Sequence, residues 1–175
     1  MALAPVLEAR VGRVLEKIAR WLALAGGVLL TLLALMTVAS ILGRAFIFAG
    51  LSPIKGDYEL VGMGCAIAVF SFLPWCQMKG GHVTVDIVVD AAPSGVKAFF
   101  TLLGNIALAA AASVIAWRLW LGVGEKFAYG EETYELALPL GWGYALSFVG
   151  AVLFAIVALY TVWRSLNGCL AGEAR

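Results

Sequence analysis

The chain has 175 residues, 63% of them hydrophobic, and a formal net charge of +1 from 12 Lys/Arg against 11 Asp/Glu. A soluble domain is nearer half apolar, so a mean hydropathy of +0.97 excludes one unless the helices carry polar faces. So even a charge balance also leaves no reason to expect a nucleic-acid partner.

Residues 1–20 are charged and show a helical period. Leu3, Leu7, Val14, Leu15 and Ile18 fall near one face, with Glu8, Arg10, Arg13, Glu16 and Lys17 around the rest. The pattern predicts an amphipathic helix lying on the membrane and running into a first span. From Trp21 to Gly43 there are then 23 residues without a charge, and a helix needs roughly 20 apolar residues to cross a hydrocarbon core. This run exceeds the roughly 7–15-residue core of a cleaved signal, and no A-x-A site follows it, so it is expected to be retained.

Span 1 ends near Gly43 and Arg44, and "FIFAGLSPIKGDYE" supplies the Gly, Ser and Pro of a turn. Leu60 to Met78, 19 residues without a charge, forms the second predicted span. Pro74 in its last turns frees a backbone carbonyl, which a neighbouring helix must help satisfy. Gly80 and Gly81 stop the helix. The run "KGGHVTVD" follows, with the one histidine of the chain, His82, four residues before Asp86. One His and one Asp are too few for a zinc site. His titrates near pH 6.5, about where a proton shuttle would, but no relay leads into the membrane. A structural turn that fixes the loop or meets a partner is the leading reading. A loop with no specific role and a proton or metal site stay open behind it.

Ala98 to Trp117 forms the third uncharged window and Leu136 to Trp163 the fourth, with 20 and 28 residues. Span 4 is expected at about 139–163, opening at Pro139, where a first helical turn tolerates proline; residues 166–175 form a tail. Small residues line one face of each helix: Gly104, Ala107 and Ala111 in span 3, and Gly143, Ser147, Ala151 and Ala155 in span 4. In lipid such residues let helices approach closely, and the stripe in span 4 is the cleaner of the two. Asn105, the only amide deep inside a span, is placed to bond across helices.

Four windows predict an all-α integral membrane protein with four transmembrane helices. All six Trp lie at or near window ends, as an aromatic belt requires. Residues 1–20, the loop from Lys79 to Lys97 and the tail share one side and carry eight Lys/Arg; the other side carries four, namely Arg44, Lys55, Arg118 and Lys126. The excess places both termini in the cytoplasm and leaves Arg118–Glu135 as an acidic outer loop, in which Glu131 and Glu132 are candidate docking residues.

None of the four windows holds a charged residue of the kind that marks an ion or substrate path. None shows a Gly/Pro-broken helix pair at mid-depth, as in secondary transporters. Cys65, Cys76 and Cys169 form no C-x-x-C and no even framework. A drug exporter's embedded carboxylate, a haem anchor's histidines and a thiol oxidoreductase's cysteine pair are therefore all missing. What is left is a non-enzymatic membrane protein, without cofactor or metal, that scaffolds or assists a partner.

Three stretches resemble a known family. Arg44 follows span 1, and "GDYEL" places Glu59 before Leu60 at the start of span 2. "GGHVTVD" follows span 2. "LALPLGWGYALSFVG" opens span 4 with Pro139 and Trp142 and runs to Gly150. Together, over roughly residues 20–165, they resemble the small membrane subunit of tripartite ATP-independent periplasmic (TRAP) transporters. The resemblance implies a scaffold beside a large many-span subunit that carries substrate and Na⁺ by an elevator motion. It also implies a periplasmic binding protein that delivers the substrate, often an organic acid. The positions matching the family are Arg44, Glu59, His82, Asp86, Pro139 and Trp142; Lys55 and Asp57 depart from it by adding charge beside Glu59. The alternatives are an unrelated membrane scaffold or assembly factor and an independent oligomeric transporter.

Overall fold

The computed structural model describes residues 5–81 and 94–171. The described residues form four long helices: α1 (Pro5–Ala45), α2 (Asp57–Met78), α3 (Ser94–Ala128) and α4 (Leu140–Ala171), with a 3-10 turn at Ile47–Ala49. All four are long and apolar enough to cross a membrane. His82 and Asp86 lie outside the described residues.

Helix α1 spans 41 residues without a break, about 60 Å at 1.5 Å per residue. It therefore continues through Arg20 and Trp21 as one rod, well beyond what a bilayer core needs. Helix α3 likewise continues past Trp117 to Ala128, because neither Arg118 nor the Glu125–Lys126 pair carries a helix-breaking signal. It stops at Gly130, whose φ of +60° favours glycine.

The helices stand in the order α1, α2, α4, α3. Helix α2 packs between α1 and α4, and α4 packs between α2 and α3; α1 and α3 do not pack on each other. Half of the most apolar window of α4 is buried, against 11% in α1 and in α3. Helix α4 is thus the hub, and the core is a pair of thin seams rather than a central cluster. One seam joins Leu15, Met78, Val157 and Tyr160. The other joins Ala109 and Ala112 of α3 to Phe154 and Ala158 of α4.

Water is absent as a driving force between helices in lipid, so close backbone approach and hydrogen bonds must hold these seams. A methyl group on Gly150 would lie 2.5 Å from the carbonyl oxygen of Phe70, and one on Gly12 2.3 Å from the Tyr160 hydroxyl. Phe70 is the residue whose carbonyl Pro74 leaves without a helical donor. Gly150 therefore lets α4 approach the freed carbonyl.

Candidate functional site

The loop ends of the helices lock together into one polar cap. Ser40, buried in the last turns of α1, donates its hydroxyl to Asp57 Oδ2 and accepts the Ile54 N–H at 3.2 Å. Gly43 lies against the Ser52 carbonyl, which tucks the first loop onto the end of α1. Arg44 stands exposed in the last turn of α1, where a cation complements the helix dipole.

The second loop is tied to the first through Glu59. One Glu59 carboxylate oxygen accepts the Glu135 N–H at 2.8 Å and the other accepts the Leu136 N–H at 3.1 Å. In return, Glu135 Oε2 accepts the Gly56 N–H at 2.6 Å. Gly56 has φ +69° and Leu136 sits directly over it, so a side chain there is excluded both by the backbone and by space.

Glu59 lies in the first turn of α2, before the uncharged 60–78 segment and among the loop residues of the cap. Partial burial pushes its carboxyl up. The donors around it, the Glu135 N–H first, then the Thr133 side chain and the Leu136 and Tyr134 amides, outweigh this and hold it below the usual carboxylate value.

The second loop is itself stapled. The Thr133 N–H donates to Leu138 O at 2.9 Å, and the Leu140 N–H to Glu131 O at 2.9 Å. Glu132 bridges Pro139 in antiparallel fashion, and Ala137 takes a φ of +49°. Pro139 and Trp142 are both exposed. The Trp142 ring meets Phe127 edge-on with centroids 5.8 Å apart, joining the end of α3 to the start of α4. Glu131 is paired with Lys126 at 2.6 Å, and Lys126 also lies over the Tyr144 ring. Glu132 is exposed and forms no ion pair among the described residues.

A polar ladder holds the opposite end. Gln77 Nε2 donates to Thr161 Oγ1 at 2.8 Å and reaches Asn105 Oδ1 at 3.5 Å; Asn105 Nδ2 donates to Ser165 Oγ at 2.7 Å. Asn105 therefore does bond across helices, to both α2 and α4. Two further links tie α1 to this end: Asn167 Nδ2 donates to Glu8 Oε2 at 2.5 Å, and Lys79 pairs with Glu16.

Gly143, Ser147 and Ala151 are buried, Gly143 against Met63 of α2, and the Ser147 hydroxyl has no hydrogen-bond partner among the described residues. Gly104, Ala107 and Ala111 are exposed, and among the described residues nothing lies within 4 Å of where a Gly104 side chain would begin. Within the chain, α3 instead packs through Ala109, Ala112 and Ala116. That second stripe has the same i, i+3, i+7 spacing, rotated around the helix. Spacing alone could not choose between the two, since span 3 is rich in alanine. Ser40 and Glu135 carried no motif, Gly56 entered only as the opening glycine of "GDYEL", and only the pairing of the two loops makes them part of the cap.

Among the described residues no group of three His, Cys, Asp or Glu side chains could hold a metal ion. The buried polar groups of the cap bind one another, as do those of the ladder at the other end, and the helices between them are apolar. This is the build of a multi-pass membrane protein whose polar contacts hold helices in place.

The family of tripartite ATP-independent periplasmic transporters, DctQ component, matches residues 33–168, and the chain belongs to it. It is thus a small membrane subunit of a TRAP transporter, and membership implies association with the other components, a large membrane subunit and a binding protein. No match was found among curated proteins or among solved structures.

Proposed function

We propose that the chain is the non-catalytic scaffold of a Na⁺-coupled TRAP transporter for an organic acid in the bacterial inner membrane. Both termini are cytoplasmic in this reading, as the excess of Lys/Arg on the terminal side favours. The observation that carries it is the open row of helices. Helices arranged in a row leave a broad flank for a large subunit, and a rigid row suits a stationary support for a moving one.

The cap built on Glu59 and Glu135 faces the periplasm in this reading and forms part of the surface on which the binding protein docks. Glu132, exposed and unpaired among the described residues, supplies charge to that surface. Arg44, His82, Asp86, Pro139 and Trp142 join Glu59 as contacts that fix the loops or meet the large subunit.

Affinity purification from the native membrane tests the scaffold reading. A large many-span subunit should co-purify, and proteoliposomes with the large subunit and binding protein should take up an organic acid only with Na⁺ and with this chain present. Uptake by this chain alone would overturn the reading.

A further inference from the structure

The terminal half of α1 divides lengthwise into three faces. One packs inward: Gly12 and Leu15 lie against Tyr160, and Ala19 is fully buried. Both carboxylates of this segment are engaged with other helices, Glu8 with Asn167 of α4 and Glu16 with Lys79. The second face is apolar and uncovered, with Leu7 55%, Val14 57%, Ile18 48% and Trp21 64% exposed. The third is basic. Arg10, Arg13, Lys17 and Arg20 are all exposed, and their intervals of three, four and three residues place them within an arc of about 80°. Among the described residues, none of the four forms an ion pair with a carboxylate. A shallow groove lined by Lys17, Ile18, Trp21, Leu22 and Ala25 runs from this stripe onto the uncharged span.

We propose that this surface is a binding site for an anionic phospholipid. The guanidinium and ammonium groups hold the phosphate headgroup, for which the arginine fork is shaped. An acyl chain follows the groove past Trp21 and Leu22 toward the hydrocarbon core. Trp21 sits where its ring marks the headgroup level. The engagement of Glu8 and Glu16 elsewhere is what makes the outer face cationic, although the segment as a whole contains both signs of charge. A lipid fits better than a soluble acidic protein, because the basic stripe adjoins an uncovered apolar line and the start of a span. A soluble partner on the cations would leave Ile18 and Trp21, which line the adjoining groove, uncovered. The site rests on membrane insertion alone and does not depend on the transport reading.

The test is native mass spectrometry of the full-length chain, with its co-purifying subunit where one is retained. Dioleoyl-phosphatidylglycerol and dioleoyl-phosphatidylethanolamine are titrated separately. Glutamine keeps helix propensity, so the variant Arg10→Gln, Arg13→Gln, Lys17→Gln, Arg20→Gln should remain helical by circular dichroism. The wild type should retain phosphatidylglycerol over phosphatidylethanolamine. Lys17→Gln alone should lower that preference by about fivefold, from the attraction of one juxtamembrane cation, and the fourfold variant should abolish it. Lys55→Gln with Arg118→Gln, at the other end, should leave it intact. Equal preference in the wild type and the fourfold variant would overturn the site. So would loss of the co-purifying subunit from the fourfold variant with an unchanged lipid profile, which would make the stripe a protein contact.

Discussion

Gly150 of α4 lies against the carbonyl oxygen of Phe70 in α2, the acceptor that Pro74 leaves without a helical donor. A proline inside a membrane span is tolerated where a neighbouring helix closes over the freed group, and here the neighbour is a glycine because nothing larger fits. Gly150→Ala should therefore force α2 and α4 apart, at a cost of about 1–3 kcal/mol. The midpoint of thermal unfolding in detergent should fall, whereas Gly104→Ala, which meets open space, should leave it unchanged. Equal midpoints for the two variants would remove the Gly150 contact from the account.

The two alanine faces of α3 and α4 separate in the same way. Ala151 is fully buried and Ala112 likewise, so Ala151→Leu and Ala112→Leu should each destabilise the isolated chain by about 1–3 kcal/mol through overpacking. Ala111 is exposed, and Ala111→Leu should leave the isolated chain as stable as the wild type. If that outer face meets the large subunit, Ala111→Leu lowers only the yield of the complex, read by size-exclusion chromatography in detergent. Destabilisation of the isolated chain by Ala111→Leu would contradict the packing described.

Glu59 makes the cap sensitive to acid. Its folded value lies below that of a free carboxylate, which is about 4.3 for glutamate. The stabilisation is thus complete above that value and is lost as pH falls through the lower folded one. Hydrogen exchange at the Glu135 and Leu136 amides should accelerate, relative to the intrinsic rate, as pH drops below about 4. Glu59→Gln should show weaker protection at neutral pH and a flatter pH dependence. A variant that keeps the wild-type profile would show that other groups hold the loop.

Orientation is tested by single-cysteine labelling in a background free of native cysteines. Positions 81 and 171 should react only from the cytoplasm, and positions 50 and 130 only from the opposite side. Reaction of position 130 from the cytoplasm alone would invert the proposed topology.

Docking of a binding protein is tested on Glu132 rather than on Glu131. Glu131 is engaged by Lys126, so Glu131→Lys disturbs the loop as well as its surface charge. Glu132→Lys changes charge alone, and exposed charge acts chiefly on encounter rate. Uptake in proteoliposomes should need more binding protein to reach half its maximal rate. Raising salt should slow the wild type more than the variant, since screening acts over about 8 Å at physiological ionic strength. An unchanged dependence on binding-protein concentration would take Glu132 out of the docking surface.

Much of this protein was legible from its residues in order. Four uncharged windows dictate four spans, because lipid offers no partner for charge or for open backbone groups. The order of short motifs around Glu59, Gly81 and Trp142 was enough to indicate the family, since it depends only on position along the chain. The need for a neighbour at Pro74 also follows locally, because a proline has no N–H to donate. Which neighbour answers it does not follow. Gly150 is 80 positions from Phe70, and only the packing of α4 onto α2 brings them together. The same limit applied to α3, where two alanine stripes of equal spacing compete and the hub position of α4 selects Ala109, Ala112 and Ala116. It applied again to the cap: Glu59 was visible as a motif residue, but its donors come from residues 133–136 on another loop. Local sequence determined what crosses the membrane, because hydrophobicity and backbone satisfaction act over a single helix. Tertiary structure alone decided which faces close and which stay open, because contacts between helices depend on their order in space.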